Sequence, residues 1–120
     1  MATTVEKIIL SGSTDGKGVL VTGTATGSAN TIHTAHATAE DEVWIYAHNS
    51  DSSDRTLTIE FGGATDPGNV IELTIVSQAT NTGLVLAVPG LILSNSLIVK
   101  AFASTGSQIT LFGYVNRINQ

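Results

Sequence analysis

The sequence predicts an all-β fold, an antiparallel sandwich or barrel. Three observations predict it. Apolar residues recur at every second position through most of the chain. Thr, Val and Ile are frequent, while the helix formers Glu, Lys, Gln and Arg are scarce. The apolar runs are short and are separated at close spacing by turn-forming residues.

Nine strands follow in order, at 5–10, 18–24, 29–37, 42–49, 55–62, 69–77, 83–88, 96–103 and 107–116. SGSTDGKG at 11–18 separates the first two with two Gly-containing turns. NSDSSD at 49–54 offers Asn and Asp side chains that fold back on their own backbone. In ATDPGN at 64–69, Pro67 and Gly68 give the signature of a type II turn. Pro89 and Gly90 end the seventh strand, and SNS at 94–96 and STGS at 104–107 close the list. A chain of 120 residues is one domain by length. Residues 1–17 read as an N-terminal arm and first strand, and 18–120 as a single sandwich.

Strand parity assigns faces. Leu57, Ile59 and Phe61 share one face, with Thr58 and Glu60 on the other. Ile71, Leu73 and Ile75 oppose Glu72 and Thr74. These strands have one dry and one wet side. Val43, Ile45, Leu97, Val99, Ile109 and Leu111 complete the expected core. Three strands differ, because both of their sides are apolar or aromatic. Val43, Ile45 and Ala47 back onto Trp44, Tyr46 and His48. Leu97, Val99 and Ala101 back onto Ile98, Lys100 and Phe102. Ile109, Leu111 and Val115 back onto Phe112 and Tyr114. A sandwich buries one side of each, so the second side needs a cover. The expected subunit interface is therefore Trp44, Tyr46, Ile98, Phe102, Phe112 and Tyr114, with His48 and Lys100 at its rim.

Composition excludes several function classes. Net charge is −5, and the basic residues Lys7, Lys17, Arg55, Lys100 and Arg117 stand singly. No basic patch exists to neutralise a phosphate backbone, so no nucleic-acid partner is expected. The chain has no cysteine and so no thiolate chemistry. MATTVEKIIL does not read as a signal peptide. No apolar run approaches the roughly 18 residues of a membrane span, so no membrane partner is expected.

Candidate chemical sites read as structural. Trp44 and Tyr46 on one face invite a sugar-stacking platform, but Phe102, Phe112 and Ile98 make apolar companions that suit a protein contact better. His33, His36 and Glu40 loosely match a cupin metal motif. That motif sets its histidines two apart, whereas here they are three apart and fall on opposite faces of a regular strand. Asp51 and Asp54 form a turn more readily than a calcium loop. No nucleophile elbow and no phosphate loop before a helix occurs. No catalytic residue, metal or cofactor is expected, and the protein does not read as an enzyme.

DEVWIYAHNSDSSDRTLTIEFGG, PGNVIELTI, GLVLAVPGLILSNSLIVKAFA and ITLFGYVNRI occur in that order. This series, over roughly Thr31 to Ile118, resembles the small capsid decoration, or cement, proteins of tailed bacteriophages. The resemblance implies a jelly-roll-like sandwich, often a trimer, seated on the outer capsid surface with the major capsid protein as partner. It carries over no site residue. The alternative is a lectin-like virion module of a head fibre or tail, presenting the 49–54 and 63–69 loops to a glycan.

Overall fold

The structure is a computed structural model that describes residues 3–119. It contains β1 (Thr4–Ile9), β2 (Val19–Val21), β3 (Asn30–Thr34), β4 (Glu40–Asn49), β5 (Arg55–Phe61), β6 (Val70–Ile75), β7 (Val85–Leu93), β8 (Ile98–Ala103) and β9 (Ile109–Asn119). Two single 3-10 turns, Thr26–Ser28 and Gln78–Thr80, are the only helical pieces among the described residues. The antiparallel β-sandwich expected from the sequence is the fold observed.

The first sheet has the order β1-β9-β4-β7, and β2 also pairs with β9. The second has the order β3-β8-β5-β6. All pairs are antiparallel. From Val19 onward the chain passes between the sheets at nearly every connection. Strands β1 and β2 act as one interrupted strand, because β1 lies along the C-terminal half of β9 and β2 along its N-terminal half. That leaves four strand positions per sheet, the jelly-roll arrangement. Within the segment 1–17, read as an arm and first strand, Thr4–Ile9 forms part of the edge of the first sheet. Thr4 to Ile9 are zipped to Asn119 to Tyr114 without interruption.

The core lies between the sheets and follows the predicted parity. Val43, Ile45, Leu57, Ile59, Ile75, Val99, Ile109 and Leu111 are fully buried. Phe61, Ile71 and Leu73 are half-buried and pack against them. Leu97 corrects the reading. It precedes β8 and is 42% exposed, because the ladder partners of β3 begin at Ile98 and leave Leu97 in the turn. Thr58 and Glu60 are a second correction, since both are buried along with Leu57 and Ile59. Their outer side is walled by the Thr26–Ser28 turn and the 62–69 loop.

Strand β7 runs four residues past the expected stop at Pro89. It is an edge strand, so a missing N–H at Pro89 need break no ladder. Gly90 is an extra residue opposite Val43 and Trp44, with φ +77°, which makes it a bulge. At the 64–69 turn Gly68 does take a positive φ, but the Asn69 N–H donates to the Thr65 carbonyl at 3.0 Å, so the turn closes over five residues and not over the four of type II. Gly113 on β9 faces Ile45, and a Cβ there would collide with the Trp44 carbonyl oxygen.

Ile59→Ala should cost about 2–5 kcal/mol, as befits a fully buried side chain on a central strand. Thr74→Ala on the exposed side of β6 should stay within about 0.5 kcal/mol. Urea denaturation of the two variants checks the assigned faces, and equal losses would contradict them.

Candidate functional site

Strands β4 and β9 meet in register along the outer side of the first sheet. Trp44 stands opposite Tyr114, Tyr46 opposite Phe112 and His48 opposite Thr110. Each alternates with a buried core residue, so all of them point away from the second sheet. The Trp44 and Tyr114 rings are stacked, with centroids 6.5 Å apart and planes 17° apart. The Lys7 ammonium from β1 lies 4.9 Å from the Tyr114 ring centre. The indole N–H of Trp44 donates to Glu42 Oε1 at 2.7 Å, and Asn116 donates to the same oxygen at 3.0 Å. These two hydrogen bonds hold the Glu42 carboxyl below its ordinary pKa. The bulge at Gly90 lets the indole lie over the β7 backbone, since a Cβ there would sit 2.7 Å from Trp44 Cζ2.

The flanking strands extend this face. Ile9 of β1 pairs with Tyr114, Val5 with Ile118, and Leu20 of β2 with Thr110. On the far side Leu86 of β7 pairs with Tyr46 and Ile92 with Glu42. Val5, Ile9, Leu20, Leu86, Ile92 and Phe112 are each 36–64% exposed. The first five were absent from the expected interface. Their signal was present as apolar parity, but only the strand order shows that they share a face with Trp44.

The expected interface is divided by the fold. Trp44, Tyr46, His48, Phe112 and Tyr114 come together. Ile98 and Phe102, with Lys100, lie on β8 in the second sheet, whose outer face is on the opposite side of the molecule. The single patch is therefore two separate surfaces. Parity fixes which side of a strand is dry but not which sheet the strand joins. His48 sits at the rim, where its Nδ1–H donates to the Gly83 carbonyl at 3.1 Å.

The polar candidates serve the fold. His33 is fully buried, and its Nδ1 accepts from the Ser11 N–H at 3.0 Å. Nε2 therefore carries the ring proton and donates to Asp41 Oδ2 at 2.7 Å. Arg117 closes on the same carboxylate through Nε at 2.8 Å and Nη2 at 3.0 Å. Burial pulls the Asp41 pKa up, but the hydrogen bonds from Arg117 and His33 and the charge of Arg117 outweigh it and hold the carboxyl below its ordinary value. This cluster was missed by sequence reasoning. Its one signal was Asp41 at the same inward parity as Val43 and Ile45. His36 Nδ1 accepts from the Thr38 and Ala39 N–H groups, which folds the turn before β4. Asp51 pairs with Arg55, and Asp54 accepts from the Ser77 N–H. Among the described residues no group of three or more His, Cys, Asp or Glu side chains is placed to hold a metal ion. Among them, too, no helix is long and apolar enough to cross a membrane.

Comparison with protein-family models, curated proteins and solved structures finds no match to this chain.

Two outcomes follow from the geometry. Asp41 has a depressed folded pKa, so its stabilisation is fully present above the unfolded value and is lost as pH falls through the lower folded value. The gap in unfolding midpoint between the parent and Asp41→Asn should be largest near neutral pH and should close in acid. Gly90→Ala should cost about 1–2 kcal/mol for the left-handed backbone alone. It should also shift the emission of Trp44, the only tryptophan, because the new methyl displaces the indole.

Proposed function

We propose that this protein is a virion structural component, a decoration protein that seats as an oligomer on the outer surface of a capsid and braces the shell. The observation that carries the reading is the apolar outer face of the first sheet. Four strand positions by about six residues give a face of roughly 400 Å² in projection, the size at which an apolar patch on a monomer marks an interaction site. Its centre is aromatic and its rim holds Lys7, Glu42, Asn116 and His48, the usual anatomy of a protein contact. Closed cyclic association covers such a face on every copy, and the resemblance to decoration proteins favours three copies. The jelly-roll arrangement and the absence of a basic patch fit a role outside the genome.

The competing glycan-binding reading needs polar groups beside the aromatic stack that are open to sugar hydroxyls. Here the indole N–H and the Asn116 amide both donate to Glu42. They are committed to one another, and Lys7, the neighbour of Asn116 across the ladder, lies over the Tyr114 ring, while Ile9, Leu86 and Ile92 make the flanks of the face apolar.

Light scattering of the isolated protein should give about three times the 12.4 kDa chain mass. The double variant Ile9→Asp, Phe112→Asp should run as a monomer while keeping its β-rich circular dichroism, because two charges on the face forbid its burial. A parent protein that stays monomeric at micromolar concentration would remove the assembly reading. Imaging of purified particles tests the location. Density for this chain on the capsid lattice is expected, and its presence only in a tail or fibre would overturn the placement.

A further inference from the structure

Ser11 and Gly12, in the connection between β1 and β2, are sewn to β3 by three hydrogen bonds. The Gly12 N–H donates to the Ile32 carbonyl at 2.9 Å, the Thr34 N–H donates to Ser11 Oγ at 2.7 Å, and the Ser11 N–H donates to His33 Nδ1 at 3.0 Å. The backbones lie so close that a Cβ on Gly12 would collide with the Thr31 carbonyl oxygen. The first two bonds use groups that do not change with pH. The third uses a lone pair of an imidazole and exists only while that ring is neutral.

His33 is fully buried. The charged and titratable groups around it come from several elements. Strand β4 brings Asp41, whose Oδ2 accepts the Nε2 proton at 2.7 Å, while Glu40 and Glu42 alternate to the other side of that strand. Strand β9 brings Arg117, bound to the same carboxylate. The turn before β4 brings His36, whose backbone N–H reaches Asp41 Oδ2 at 3.3 Å and whose Nδ1 is occupied by Thr38 and Ala39. Strand β1 brings the exposed Glu6, paired opposite Arg117. Strand β8 places the apolar Val99 opposite His33, and residues 10–12 carry no titratable side chain. With His33 neutral, the two carboxylates Asp41 and Glu6 face one cation, Arg117. The surrounding charge thus welcomes a proton on the ring, and the Ser11 N–H opposes it.

We propose that His33 and Ser11 form an acid-sensitive latch on the N-terminal strand. A second proton on the ring goes to Nδ1, because Nε2 already holds one. Two N–H groups would then point at each other across 3.0 Å, and one must withdraw. The ring stays, since it is buried and a charged imidazole is held more tightly by Asp41. Ser11 and Gly12 leave, since both are exposed. Little else retains β1. Of Thr4–Ile9 only Ile8 is half-buried, so the strand keeps its ladder to β9 and the buried Leu10. An element with so little burial opens locally, well below the free energy of global unfolding. The open form binds one more proton than the closed form, so falling pH favours opening. Val5 and Ile9 ride on β1, so on the assembly reading the latch also loosens one side of the covered face. The latch itself does not depend on that reading.

The test follows the full chain by NMR from about pH 8 to about pH 5, above the range in which ordinary carboxylates titrate. Nitrogen-15 shifts of the His33 ring report its protonation. Amide exchange, expressed as protection relative to the unfolded rate at each pH, reports the latch. Ser11 and the ladder amides of β1 should lose about tenfold in protection, with the midpoint at which His33 gains its proton. Val43 and Ile45 at the centre of β4 should keep theirs. His33→Gln has no proton to gain and should remove the pH dependence at Ser11 and β1, whereas Ser11→Ala keeps the N–H and should retain it. The paired titration of the parent decides the matter even where His33→Gln does not fold. A ring that charges while Ser11 stays protected, a ring that remains neutral throughout, or loss of protection in β4 together with β1 would each overturn the proposal. So would a pH dependence that survives in His33→Gln.

Discussion

A two-layer sandwich hides one face of each sheet, and most of this molecule follows from how the chain meets that limit. The inner faces take Val43, Ile45, Leu57, Ile59, Val99 and Leu111, which close the core. The outer face of the second sheet is polar and concave. The outer face of the first is aromatic and aliphatic from β1 across to β7. The molecule is therefore two-sided in its chemistry, with a dry face and an acidic trough on opposite sides.

Rigidity at one end of the slab depends on a buried charge. Asp41 stands at an inward position of β4, where water cannot reach it, and a lone carboxylate there would be strongly destabilising. It is held by His33 from the second sheet and by Arg117 from β9 of the first. The Ser11 N–H then fixes the far side of the His33 ring. Four separate chain segments thus converge on one carboxylate. Removing a partner from such a cluster is more damaging than never having built it, because the remaining charge stays buried. The cluster ties the β1–β2 connection to both sheets.

Much of this was legible in the sequence, and the rest failed for identifiable reasons. All nine strands were readable from period-two alternation and turn residues, as was the buried side of β4, β5 and β9. The aromatic series on β4 correctly joined Phe112 and Tyr114, because cross-strand partners share a face. Ile98 and Phe102 were joined to it wrongly, since alternation carries no information about which sheet a strand enters. Thr58 and Glu60 read as wet because alternation does not show that the loop after β5 folds back over them, nor that a turn 34 residues from Glu60 closes the other side. Pro89 read as a stop because its place on an edge strand cannot be seen before the sheet order is known. The Asp41 cluster spans 76 residues between Asp41 and Arg117, a pairing that no local pattern records.

The edges of the first sheet bear on how its dry face is covered. An exposed edge strand invites further strands, and an apolar sheet that grew that way would form fibres. Here β7 carries two register irregularities, at Gly90 and at Ala87, and has Pro89 between them. An incoming strand would find neither a continuous ladder nor a full set of N–H donors. On the opposite edge the first-strand position is split between β1 and β2, and β1 bears Glu6 and Lys7. Both edges thus resist addition while the face between them remains apolar. Association on the proposed reading is then directed to the face. A contact made through a face by copies related by closed symmetry ends when the ring is complete, which yields a small assembly of defined size instead of a growing sheet.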